Sequence, residues 1–352
     1  MKRQRSQFTL VLVVAGIAVA GFVGSLLITH ADGAGNSLPN PYRMVEGWGK
    51  SLPAGRPWGS TNAVTVDSKD HIWVAERCGG NSCADSPLDP ILEFDADGNL
   101  IKSLGAGMFV VPHGVYVEKN GNVWATDNSG KDGKGQQVIK FSPEGKELMR
   151  LGKAGVAGDG PDTFNQPDAV VVAENGDIFV ADGHTIGSGN ARIVKFSKDG
   201  KFLMQWGEHG SGPGQFEVPH GITMDSRGRI FVADRGNRRV QIFSQDGKFL
   251  DQWTAFGAPS GLFISLHDML YVADSVSQAD DSKKPTYNPG IGQGIRVGSA
   301  KDGKVAAYIP IPPPPGAATN APEGVAADSG GNVYGADVVL KDVRKYVAQH
   351  LL

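Results

Sequence analysis

Between residues 61 and 349 the chain alternates short apolar runs with polar turns. "PHGITMD" (219–225), "IFVADR" (230–235) and "VQIFSQDGKFL" (240–250) show the pattern. Each run holds four to six residues rich in Val, Ile, Phe and Tyr. Turn pairs such as Asn120-Gly121, Asp199-Gly200 and Asp246-Gly247 separate them. Such runs predict β-strands joined by tight hairpins. The same order recurs six times. First runs begin at 61, 112, 167, 219, 259 and 322, and second runs at 72, 123, 178, 230, 270 and 333. A third run follows each, and many repeats close on a fourth ending in Gly, such as "MRLG" (149–152) or "MQWG" (204–207).

Six four-stranded antiparallel meanders in series predict an all-β fold, a six-bladed β-propeller. The sixth repeat stops after its third run. "MVEGWG" (44–49) is expected to supply the missing fourth strand and so remove an open edge. Residues 275–294 form a polar insertion in blade 5, and 309–320 form a Pro-rich connection into blade 6.

The beginning of the chain reads differently. Lys2, Arg3 and Arg5 precede an apolar run from Phe8 to about Ile28. That length suits a membrane span, and the basic flank would stay cytoplasmic. Residues 1–31 are therefore read as a signal anchor or a signal peptide, Thr29-His30-Ala31 being the cleavage site in the second case. Residues 32–43 are read as a linker and 44–352 as the propeller. The propeller is expected on the extracytoplasmic side, periplasmic or extracellular, with membrane contact through the N-terminal segment.

The 49 Gly and 21 Pro residues suit many short strands and turns. The formal charge of −3 becomes −6 once the three basic residues of the leader are set aside, so nucleic acid is not an expected partner. A monomer is expected. Cys78 and Cys83 are the only cysteines, and in an oxidising compartment they predict a local disulfide.

In a propeller the first strand of each blade lies nearest the axis, so the residue that starts it faces the central channel. That ring is Asn62, His113, Asp168, His220, Ser260 and Glu323. His113, His220 and Glu323 come from alternate blades, about 120° apart around the axis. Two imidazoles and a carboxylate at that spacing suggest a divalent transition metal, zinc first, with iron or manganese as alternatives. Arg77 and Arg235 follow second strands on the same face, and paired guanidiniums suit a carboxylate-bearing ligand. Asp127, Asp182, Asp234, Asp274 and Asp337 recur at one strand end and read as structural.

"GSGPGQFEVPHGITMDSRGRIFVADRGNRRVQIFSQDGKFL" resembles NHL repeats, and the resemblance runs over roughly residues 60–346. "VVPHGVYV", "GPDTFNQPDAVVV", "ARIVKFSKDGKFLMQWGE" and "VADRGN" are similar to peptidyl-α-hydroxyglycine α-amidating lyases. That resemblance implies a propeller with central zinc held by three histidines from alternate blades. It implies cleavage of a peptidyl-hydroxyglycine to a peptide amide and glyoxylate. On the matching positions, His113 and His220 would be zinc ligands, and Arg77 and Arg235 substrate-binding or catalytic arginines. Glu323 stands where the third zinc histidine is expected, and His184 where the catalytic tyrosine is expected. Tyr287 in the blade 5 insertion is a second candidate phenol. The calcium-binding aspartate of the family falls on Gly324, so calcium is not expected there. The expected function is an extracytoplasmic metal-dependent lyase acting on a small carboxylate-bearing or peptidic ligand. The alternative is a non-catalytic propeller that binds a protein or glycan.

Overall fold

The structure is a computed structural model and describes residues 35–49, 52, 55–279, 282–283, 286–311 and 320–349. The leader assigned to residues 1–31 lies outside them. Among the described residues no helix is long and apolar enough to cross a membrane.

Among the described residues twenty-four strands form six four-stranded antiparallel sheets. Five sheets follow chain order. In blade 4 these strands are Pro219–Met224, Ile230–Asp234, Arg239–Phe243 and Phe249–Trp253. The sixth sheet is closed by a strand from the other end of the chain. Tyr42–Val45 pairs with Asp342–Ala348, Tyr42 opposite Ala348 and Val45 opposite Lys345. The expected closure is therefore present, two residues earlier than the "MVEGWG" run. Trp48 from that run packs at the seam instead. Its ring lies 5.6 Å from Phe94 of blade 1 and 5.2 Å from Tyr334 of blade 6. Its indole N–H donates to the Ala96 carbonyl at 3.0 Å.

The core lies between blades, so both faces of each middle strand are covered. This explains why second strands read as continuous apolar runs rather than alternating ones. Every residue of Ile178–Asp182 and of Ile230–Asp234 is buried. The outermost strands face water, and Phe202 and Leu203 are exposed. Each large side chain fully buried in such a layer contributes about 1.5–3 kcal/mol.

The glycine that ends the fourth strand has a packing reason. Gly207 adopts φ +98°, and a Cβ there would sit 2.5 Å from the Phe216 ring. Gly105 and Gly152 meet Phe109 and Phe164 in the same way. The repeated acids fix the loops that enter each blade. Asp127 accepts from the Val110 and Val111 amides at 2.7 and 2.6 Å. Asp234 accepts from the Glu217 amide and from Arg239 Nε, both at 2.8 Å. Asp337 accepts from the Ala321, Val339 and Leu340 amides.

Candidate metal and anion site

Each ring residue sits on a β-bulge. In blade 4, Pro219 pairs with Asp234 and Gly221 with Ala233, so His220 stands unpaired between them. The same break isolates Asn62, Asp168, Ser260 and Glu323, and in blade 2 it falls between Pro112 and Val115. A bulge re-aims its extra residue away from the regular alternation of the strand. Here it sends that side chain towards the axis.

The glycine after the histidine completes the arrangement. A Cβ on Gly114 would lie 2.5 Å from the Asp168 carbonyl oxygen, and one on Gly221 would lie 2.6 Å from that of Ser260. Without a Cβ, the next blade's backbone comes close enough to hold the imidazole. His113 Nδ1 lies 3.0 Å from the Asp168 carbonyl, and His220 Nδ1 lies 3.2 Å from the Ser260 carbonyl. A carbonyl only accepts, so each Nδ1 carries the proton. The Nε2 atoms of both residues are buried and have no hydrogen-bond partner.

His184 joins the pair from the loop after the second strand of blade 3. The His113 and His220 ring centroids are 4.8 Å apart, and His184 lies 5.0 Å from each. Its Nδ1 is 3.0 Å from both carboxylate oxygens of Asp168. One donor atom from each of His113, Asp168, His184 and His220 falls within 4.8 Å of the others. Burial pushes the His113 imidazole down to about 4 and the His220 imidazole well below its ordinary value. Both are therefore neutral near pH 7, the form that ligates metals. Burial also pushes the Asp168 carboxyl upward, but His113, His184 and Arg235 together hold it below the usual carboxylate value.

Glu323 lies beside this triangle. Its Oε1 is 3.8 Å from His220 Nε2 and 3.3 Å from an Arg235 guanidinium nitrogen. Its Oε2 accepts from the Asn62 amide at 2.8 Å. Arg235 also donates to the His184 carbonyl at 3.3 Å. Arg77 approaches from blade 1 with its Nε buried and unpartnered. Burial lowers its pKa, and the charges of Glu323 and Asp168 oppose that shift. It lines a recess of about 420 Å³ with Ser60, Asn81 and Lys341. The Cys78–Cys83 disulfide is present and follows Arg77 directly.

The structure thus gathers His113, His184, His220, Glu323, Arg235 and Arg77 at one end of the channel. Tyr287 is set apart. It is half-buried in the blade 5 insertion, bridged to Gln278, and no contact joins it to the ring among the described residues. Asp168 belongs to the site although sequence reasoning gave it no role. Its place in the ring and the nearby "ADGH" loop were the available signals.

The ring lines a channel cavity of about 1210 Å³ bounded by the first strands of all six blades. A second group, Asp67, His71 and Glu93, could also hold a metal. Its members are already engaged. Glu93 pairs with His71 and Lys102, Asp67 accepts from Trp73, and Lys102 lies over the Trp73 ring. Glu118, Trp124 and Lys140 repeat that acid–aromatic–lysine pattern in blade 2. The group is a structural element of the blade.

Comparisons with known proteins agree with the propeller fold. Residues 216–243 match the NHL repeat. The chain is 32% identical over 235 residues to human NHL repeat-containing protein 3, covering 62% of this chain and 65% of that protein. It is 35% identical over 180 residues to peptidyl-alpha-hydroxyglycine alpha-amidating lyase 1 of Drosophila melanogaster, covering 48% of this chain and 30% of that one. The match thus spans less than two thirds of each relative's length. A Xanthomonas campestris gluconolactonase shares the fold at a TM-score of 0.58 and 13% identity, over 88% of this chain and 95% of its own. The chain is a six-bladed β-propeller that carries an NHL repeat at residues 216–243 and is homologous over about half its length to the peptidyl-alpha-hydroxyglycine alpha-amidating lyases.

Proposed function

We propose that the protein is an extracytoplasmic, metal-dependent lyase that cleaves a carbon–nitrogen bond in a small carboxylate-bearing or peptidic substrate. The observation that carries this reading is the pair of buried, unpartnered Nε2 atoms of His113 and His220. Buried polar atoms are normally satisfied, and two unpartnered imidazole nitrogens on rings 4.8 Å apart fit a divalent cation such as zinc, iron or manganese. The remaining position falls to Glu323 or His184. When bound, the metal would act as a Lewis acid that makes a substrate hydroxyl more acidic.

The chain's own residues supply the rest. Arg77 and Arg235 face the same mouth and would hold the substrate carboxylate. For a hydroxyglycine substrate, the hydroxyl carbon becomes the aldehyde carbon of glyoxylate as its bond to nitrogen breaks. The hydroxyl proton passes to a base, and the departing amide nitrogen takes one proton up. His184 and Glu323 are the two groups at the channel mouth able to serve as that base. The Cys78–Cys83 disulfide and the basic-then-apolar beginning of the chain support an extracytoplasmic site of action.

Purification without chelators followed by metal analysis tests the reading. It should give close to one transition metal per chain. Incubation with a hydroxyglycine peptide should then release glyoxylate. A chain free of transition metal would sink the reading in favour of a propeller that only binds a protein or glycan partner.

A further inference from the structure

The resemblance places Glu323 among the metal ligands and His184 in the position of the base. We infer that these two residues have exchanged places: His184 completes the metal site with His113 and His220, and Glu323 stands outside it. This rests on the metal-dependent reading above and concerns only which residues hold the ion.

Three observations carry the inference. First, the imidazoles of His113, His184 and His220 form a nearly equilateral triangle, with centroid separations of 4.8, 5.0 and 5.0 Å. Second, all three are oriented by one device. Each Nδ1–H is directed at a protein acceptor: the Asp168 carbonyl, the Asp168 carboxylate and the Ser260 carbonyl. A carboxylate cannot donate, so His184 must carry its proton on Nδ1, which leaves Nε2 as its free nitrogen. Carboxylates that orient a ligating imidazole in this way are the usual support of metal-bound histidines. Third, both oxygens of Glu323 are engaged elsewhere, by Arg235 and Asn62. The group of donor atoms within 4.8 Å of one another includes His184 and excludes Glu323.

The exchange has a chemical consequence. With His184 holding the ion, Glu323 is a ring carboxylate outside the metal site and the group placed to accept the substrate's proton. Its partner Arg235 must then be shared between Glu323 and an incoming carboxylate.

The test is zinc affinity, measured by chelator competition on the full chain and on two variants. His184→Ala should weaken zinc binding at least tenfold, while Glu323→Gln should stay within about threefold of wild type. His184 lies in a surface loop with its side chain 27% exposed, so its replacement should leave the fold intact. Circular dichroism checks this. Wild-type affinity retained in His184→Ala would overturn the inference while leaving the metal reading standing. Loss of zinc in Glu323→Gln would also overturn it, by returning that residue to the ligand set. A wild-type chain that binds no zinc would overturn both.

Discussion

Both carboxylate oxygens of Asp168 lie 3.0 Å from Nδ1 of His184, and the backbone carbonyl of the same aspartate lies 3.0 Å from Nδ1 of His113. One residue of blade 3 therefore sets the tautomer of two imidazoles. Asp168→Asn should loosen zinc by about tenfold to a hundredfold, because the amide holds His184 less firmly than a carboxylate does. Chelator competition measures this, and unchanged affinity would remove Asp168 from the site.

Arg235 and Arg239 occupy one short segment and have opposite roles. All five polar contacts of the Arg239 guanidinium are internal, to Asp234, Ser211, Gln252, Gly212 and Gln215. Arg239→Met leaves the buried Asp234 without the cation it pairs with, and should cost about 3–5 kcal/mol in denaturant unfolding. Arg235→Met should cost under about 1 kcal/mol, yet lower kcat/KM for a carboxylate-bearing substrate by roughly a hundredfold or more. Equal losses of stability in the two variants would contradict this division.

Stability of the metal-free protein should fall on acidification. Burial holds His113 at about 4 in the folded state, against an ordinary value of 6.5, and holds His220 well below that value. Between those limits the unfolded chain binds more protons, so each imidazole contributes stability that is lost as pH drops. Asp127 acts in the opposite sense. Burial pushes its carboxyl up to about 6, so its contribution is present at low pH and is lost as pH rises from about 4 to 6. Melting curves with a chelator present should show Tm falling from pH 6.5 to 4. The profile should be flatter in a His113→Asn, His220→Asn double variant. A slope unchanged in that variant would assign the acid sensitivity to other groups.

Gly221 gives a structural check on the ring. A methyl group there would meet the Ser260 carbonyl at 2.6 Å. Gly221→Ala should push blade 5 outward, lower Tm by several degrees and remove the acceptor from His220 Nδ1. Zinc affinity and Tm should fall together. A fall in Tm with unchanged zinc affinity would mean that His220 needs no support from blade 5.

The blades were legible because strand period, turn pairs and repeat order all pointed to one fold. First and second strands fall within a residue or so of the runs, except that the second strand of blade 2 extends to Lys131. The closing strand was legible as a need, but its register was not. "MVEGWG" offers Trp48 as an apolar residue, and only packing shows that it fills the seam while Tyr42–Val45 makes the ladder. At the site, His113 and His220 could be read from "PHG" because their positions repeat. His184 could be placed at the same mouth, but its approach to within 5.0 Å of both imidazoles could not, because it lies on a loop whose path depends on contacts across blades. The sequence likewise gave no sign that Arg235 and Asn62 engage Glu323, because that contact joins residues 88 and 261 positions away.

The six bulges make the channel mouth modular. Each ring side chain is carried by a residue that takes no part in its strand ladder. Its identity can therefore change without disturbing the pairing that holds the blade. Asn, His, Asp, His, Ser and Glu already occupy six equivalent sockets of one frame. A lineage using this frame can rewrite its chemistry one socket at a time while the propeller around it stays the same.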